Sequence, residues 1–213
     1  GEEISGWWIW VMMVVSLVLA VGLFFIAPLF LTNLGNHYIN SSLVFHLIEG
    51  VIRLLVFIAY LKLVSLIPDI KRVFTYHGAE HMTVNAYEAG VPLEVEAVRK
   101  YNTAHTRCGT SFLFVVLIIA IIVFAIIGRP SLWLMVLSRI ILIPVIAAIG
   151  YEVIYFGARH VHNVFVRFIL APGLLLQRLT TGEPDDSQLE VAVAALQKVI
   201  EIDQLEEASQ AVS

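Results

Sequence analysis

Apolar residues in this chain come in long blocks separated by short polar stretches, and block length predicts the architecture. Blocks at 7–31, 43–67, 111–127 and 132–156 match the length a helix needs to cross a bilayer, about 17–25 residues. Trp7, Trp8 and Trp10 cluster at the start of the first, where interfacial anchors belong. The connection 32–42 is short and uncharged. Gly128-Arg129-Pro130 is a tight turn, so the third and fourth spans form an antiparallel hairpin. In the 69–110 connection the pattern changes to a helical period. Pro68 can open a helix, and Ile70, Phe74, His77, His81, Val84 and Glu88 recur along it. Gly90-Val91-Pro92 ends that helix, residues 93–101 read as a second short one, and 103–110 leads into the third span.

The 159–181 segment is apolar but interrupted by Arg167 and by Pro172-Gly173. A fifth span is one reading. The charge and the central Pro-Gly favour a re-entrant or interfacial segment with irregular backbone. Asp185 or Ser187 can cap a last amphipathic helix over 185–206, with Leu189, Val193, Leu196 and Ile200 on one face. The expected fold class is all-α. A single membrane domain, 1–213, forms a polytopic bundle of about four transmembrane helices. A cytoplasmic helical cap is built from 69–110 and 159–206.

Composition agrees: 59% of residues are hydrophobic and 14% charged, against about a quarter charged in soluble chains. Charge also predicts orientation. The side holding 69–110 and the C-terminal tail carries Lys71, Arg72, Arg99, Lys100, Arg107, Arg159, Arg167, Arg178 and Lys198; the other carries Arg129. The positive-inside rule then makes both termini and 69–110 cytoplasmic. The formal charge of −4, without a basic run, excludes nucleic acid as an expected partner. One cysteine, Cys108, rules out an internal disulfide framework and fits a reducing compartment. The N-terminal Gly-Glu-Glu lacks a basic n-region, and the first block is too long for a signal peptide, so it reads as a retained span. The missing initiator Met suggests a truncated or processed chain.

The candidate chemistry centres on His77-Gly78-Ala79-Glu80-His81, an H-x-x-E-H motif. Residues i and i+4 share a helix face, so His77 and His81 can present two imidazoles to one ion. Glu80 lies beside them as a candidate general base, the inverted zincin arrangement. A catalytic zinc typically has three protein ligands and an open position. Glu152 is the leading third candidate, because it falls near the cytoplasmic end of the fourth span; pairing with Arg159 is its alternative. His105 and Cys108, just before the third span, are also competent ligands. They can instead form a nucleophile–base pair, or belong to a helix cap spanning Gly109, Thr110 and Ser111. Glu49 and Arg53 form an i,i+4 pair in the second span, with His46 one turn away and Arg139 at similar depth. A structural charge cluster is expected there, with an ion or proton path as the alternative. Asn85, Glu88, Gln177 and Arg178 are expected to be solvated, with a supporting or substrate-contacting role as the alternative.

Five strings carry a family resemblance: Phe74-Thr-Tyr-His-Gly-Ala-Glu-His81, Asn85-Ala-Tyr-Glu-Ala-Gly90, His105-Thr-Arg-Cys-Gly-Thr-Ser-Phe112, Pro172-Gly-Leu-Leu-Leu-Gln-Arg-Leu-Thr-Thr181 and Gln188-Leu-Glu-Val-Ala-Val-Ala-Ala-Leu196. On these the chain, from Glu49 onward, resembles the YqhQ-like family of bacterial membrane proteins, described as predicted metal-dependent enzymes of unknown function. The resemblance implies metal dependence, bacterial origin and a plasma-membrane location. Thr106 stands where the family usually has Pro, and the family's upstream Gly-Gly-Gln-Ala-Val-x-Glu-Gly segment is not in this sequence.

The functional expectation is a membrane-embedded metal-dependent hydrolase with its site at the cytoplasmic interface. A divalent metal, zinc by preference, is held by His77 and His81 with Glu152, His105 or Cys108, and Glu80 is the base. Membrane lipid and a peptide or lipid-linked substrate are the expected partners, with a homo-oligomer or larger complex also open. The alternatives are a metal-stabilised scaffold or complex subunit, with a closed site such as His77, His81, His105 and Cys108, and a transporter using Glu49, Arg53 and Arg139.

Overall fold

The computed structural model describes residues 6–212, with side chains described to 207, and every regular element in it is helical. Four helices are long and apolar enough to cross a membrane: α1 (Gly6–Leu34), α2 (Ser42–Val64), α5 (Gly109–Ile127) and α6 (Leu132–Arg159). Between and after them lie α3 (Pro68–Glu88), the single turn α4 (Val95–Val98), α7 (Val164–Gln177) and α8 (Asp186–Val212). The chain divides into two compact units, one of residues 1–60 and 113–153, the other of 61–112 and 154–213.

In the first unit, no residue of Gly6–Val21 is buried, and Trp7, Leu17 and Leu19 stand open. Such a surface calls for lipid rather than water. The α1 helix widens into a π-helical turn at Gly22–Ile26, directly before Pro28. Proline has no N–H to give the carbonyl one turn back, here Phe24. The Nε–H of Arg53 donates to that carbonyl instead, at 3.0 Å.

Arg53 also belongs to a buried charge cluster. Its guanidinium donates to Glu49 Oε1 at 2.6 Å, and Arg139 donates to Glu49 Oε2 at 2.7 Å. His46 Nδ1 lies 3.1 Å from the same carboxylate, and its Nε2 donates to the Gly128 carbonyl at 2.8 Å. All four side chains are at most 1% exposed. Arg53 and Arg139 both stack on Phe124. Gly50 permits this packing, since a Cβ there would meet Ile121. The cluster expected from sequence is therefore assembled as a hydrogen-bonded core of the apolar helices.

In the second unit, α3 packs along α8. Ala79, Met82 and Ala86 of α3, Val98 of α4, and Leu189 and Val193 of α8 form its core. Glu94 precedes α4 in extended backbone, which confines that helix to one turn, shorter than the expected 93–101. Gly90, at φ +70°, ends α3. Asp185 caps α8, accepting from the Gln188 N–H at 3.0 Å, while Gln188 Oε1 accepts from the Asp185 N–H at 3.1 Å. This is a reciprocal capping box.

Segment 159–181 departs from expectation in one respect, its backbone. Pro172-Gly173 lies inside the continuous helix α7, with no irregular backbone there. Gly173 faces inward, where a Cβ would lie 3.1 Å from Ser111 Oγ, and Pro172 faces outward. The dipeptide serves close packing rather than a chain break. At 14 residues, α7 is too short to be a fifth span. Its outer face is apolar and aromatic, with Phe165, Phe168 and Ile169 all open.

Candidate metal centre

The H-x-x-E-H motif sits in the second half of α3, where the helical period brings its two histidines together. The His77 and His81 rings lie 4.3 Å apart between centroids. The third donor is Cys108. One ligand atom each from His77, His81 and Cys108 all fall within 4.8 Å of one another.

Hydrogen bonding fixes which ring nitrogens face the centre. His77 Nδ1 lies 2.9 Å from the Thr180 carbonyl, and His81 Nδ1 lies 2.6 Å from the Thr103 carbonyl. A carbonyl only accepts, so both Nδ1 atoms carry the proton and both Nε2 atoms are left for another partner. Metal-binding histidines are typically oriented in this way. His77 Nε2 lies 3.5 Å from Cys108 Sγ. Tetrahedral zinc, with bonds of about 2.0 Å to nitrogen and 2.3 Å to sulfur, places such donors about 3.5 Å apart. The group therefore fits a zinc-sized ion.

Cys108 directly precedes α5, and its sulfur accepts the Thr110 N–H at 3.3 Å. The residue is thus a helix cap as well as a donor. Burial pushes its thiol up, but hydrogen bonds from His77, His81 and Thr110 outweigh this and bring it down to about 5. A helix N-terminus favours the thiolate in the same sense. The Cys108 hydrogen bond holds His77 above its ordinary value, against burial and with help from the Thr180 carbonyl, the thiolate charge and Glu80. The sulfur is thus poised in the form a metal requires.

Two close approaches build this geometry. A Cβ on Gly78 would lie 3.2 Å from the Gly182 carbonyl carbon and closer still to its oxygen. The bare glycine lets the turn after α7 reach α3, where the Gly182 N–H donates to the Phe74 carbonyl at 2.8 Å. That approach delivers the Thr180 carbonyl to His77. Gln177 secures the other side. Its Oε1 accepts the His105 N–H at 2.9 Å, and its Nε2 donates to the His105 carbonyl and to Ser111 Oγ. Asn85 donates to the Asn102 and Ala104 carbonyls. The expectation that Gln177 and Asn85 are solvated is therefore corrected. Gln177 is fully buried, and both tether the loop carrying Cys108.

The remaining sequence candidates are not members of the three-donor group. His105 is buried beside them, its ring 5.8 Å from that of His81. Its Nδ1 accepts the Arg107 N–H at 3.3 Å. Its Nε2 lies 3.4 Å from Glu88, within ion-pair distance but without hydrogen-bond geometry. Glu88, half exposed, also pairs with Arg107. Glu80 is exposed on α3 and borders a groove of 350 Å³ between α3 and α8, lined mostly by apolar residues such as Val84, Val191 and Leu196. Glu152 lies on α6 in the other compact unit, with an exposed side chain. Arg178 is exposed just after α7. Sequence reasoning missed Gly78, Gly182, Thr103 and Thr180. The threonines act through backbone carbonyls, which leave no residue signature; a glycine inside the motif was the one available signal.

Fold and site together define an all-helical membrane protein carrying a His–His–Cys donor group. The chain belongs to the family described as protein of unknown function (DUF1385), whose profile matches residues 1–202. It is similar to the uncharacterized protein YqhQ of Bacillus subtilis (strain 168), with 35% identity over 197 residues. The match covers 92% of this chain and 62% of that protein, so the chain spans about 62% of the relative's length. No solved structure matches.

Proposed function

We propose that this chain is a membrane-embedded metal-dependent hydrolase whose ion is held by His77, His81 and Cys108. The observation that carries the reading is the convergence of two Nε2 atoms and one sulfur, with each Nδ1–H committed to a backbone carbonyl. A three-donor site leaves one position open, as catalytic zinc sites do. A divalent ion there would supply a water that ionises near neutral pH. Glu80, outside the donor group and close enough for its charge to act on His77, would serve as the proton acceptor. His77 and His81 hold their orientation through Thr180 and Thr103. The scaffold reading needs a fourth donor; His105 is its candidate, with Nδ1 taken by the Arg107 N–H and Nε2 lying 3.4 Å from Glu88 without a hydrogen bond.

Cys108 immediately precedes an apolar helix of membrane length, which supports a site at the membrane interface. The distribution of Lys and Arg supports a cytoplasmic face, with both termini on that side of a bacterial plasma membrane. A peptide or lipid-linked molecule is the substrate class that suits this position.

The test is Glu80→Gln, which keeps the shape and removes the proton acceptor. The variant should retain metal by elemental analysis and fail to complement a deletion strain, since general-base catalysis contributes about 10²–10⁴ in rate. Normal complementation with metal retained would overturn the hydrolase reading. Loss of metal would make Glu80 a ligand.

A further inference from the structure

A second groove in the same compact unit, of 330 Å³, has a different chemistry. Lys62, Lys71 and Arg178 line it with Phe74 and Thr181, and Glu183 is its one carboxylate. Among the described residues no carboxylate forms an ion pair with Lys62, Lys71 or Arg178. The groove thus holds an unbalanced positive charge beside apolar surface. Lys62 lies in the last turn of α2, the end of a membrane-length helix, where headgroups are found. Arg178 directly follows α7, whose exposed outer face carries Phe165, Phe168 and Ile169. Cations at the end of an apolar, aromatic helix face are the signature of an element lying in the interface of an anionic membrane.

We propose that this groove binds the phosphate-bearing headgroup of an anionic membrane lipid. Lys62, Lys71 and Arg178 neutralise the phosphate, Phe74 meets the glycerol and upper acyl chain, and Glu183 limits the positive excess, which disfavours headgroups of higher negative charge. The inference stands without the metal reading, because no donor to the metal centre lines the groove.

The experiment uses the full chain, purified in neutral detergent and titrated with short-chain phosphatidylglycerol, short-chain phosphatidylcholine or inorganic phosphate. Bound ligand is read by native mass spectrometry. Phosphatidylglycerol should bind in preference to phosphatidylcholine. A juxtamembrane cation contributes about fivefold to such binding, so Lys62→Gln/Lys71→Gln/Arg178→Gln should weaken it on the order of a hundredfold. Lys100→Gln/Lys198→Gln, exposed cations outside the groove, should leave it unchanged. Glu183→Gln should tighten it, which keeps the test decisive if the triple variant does not fold. Unchanged binding in a folded triple variant, or weaker binding in Glu183→Gln, would overturn the proposal. Inorganic phosphate competing at the same concentration as the lipid would also overturn it, leaving a free-phosphate site.

Discussion

Gly78 offers the sharpest test of how the candidate metal centre is built. Gly78→Ala adds one methyl group on the face of α3 that meets the turn after α7. The new Cβ would sit 3.2 Å from the Gly182 carbonyl carbon and inside contact distance of its oxygen. Both obstacles are backbone, so a side-chain rotation cannot relieve them. The turn has to retreat by about 1.4 Å to restore ordinary contact. The His77 Nδ1 to Thr180 oxygen distance is 2.9 Å now. After such a retreat it would lengthen to about 4 Å, beyond hydrogen-bonding range. Losing the group that orients a metal-binding histidine typically costs about 10–100-fold in metal affinity. Overpacking of this kind costs about 1–3 kcal/mol, or a few degrees of melting temperature in a chain of this length. The assay is zinc affinity of the detergent-purified full chain, by competition with a chromophoric chelator, with thermal unfolding alongside. Gly157→Ala is the control. Its Cβ would press on the flexible Leu170 side chain and should leave zinc affinity unchanged. A folded Gly78→Ala protein with wild-type zinc affinity would refute this account of the site.

Two further predictions address other parts of the molecule. Glu49→Gln leaves two buried guanidiniums without their carboxylate, and breaking such a cluster costs about 3–5 kcal/mol, so the apparent melting temperature in detergent should fall by roughly 10 °C with metal content unchanged. A fall of less than a couple of degrees would show that the cluster is dispensable for stability. Asp185 is held below the usual carboxylate range by hydrogen bonds from Ser187 and from the Gln188 amide. The cap is therefore complete above the ordinary Asp value and is lost as pH falls through the lower folded value. Amide exchange at Gln188 should quicken as pH drops through that window, relative to Asp185→Asn; identical pH profiles for the two proteins would remove Asp185 from the cap.

The parts legible in the sequence are those written in repetition. Long apolar blocks mark the four membrane-length helices, and the four-residue spacing of His77 and His81 marks one helix face. The family resemblance read from the five motif strings holds over the chain. Less legible is the choice among third donors. His105 and Cys108 are equally plausible in H-x-x-C, and what separates them is that an Arg107 amide takes one His105 nitrogen while the Cys108 sulfur caps α5 beside the histidines. Depth along a span suggests Glu152, but depth does not give the direction of a side chain, and that residue lies exposed on α6. Gln177 reads as an ordinary polar residue at a helix end, and nothing periodic reveals that it will be buried with three hydrogen-bond partners. In α7 the irregular backbone expected at Pro172-Gly173 is absent, because the dipeptide is kept inside a continuous helix for the closeness Gly173 allows.

The meeting of Pro28, Phe24 and Arg53 has a consequence for how this sequence can drift. A proline in a membrane helix leaves a carbonyl exposed to hydrocarbon, and an arginine in a neighbouring helix is costly without acceptors. Each is tolerable here because the other is present: the vacancy left at the Phe24 carbonyl is the place where the Arg53 Nε–H is satisfied. Restoring an amide at position 28 would bring a competing donor to that carbonyl, and shortening position 53 would remove the Arg53 donor from it. The two positions are thus tied in inheritance, and a change at one sets the terms on which the other can change.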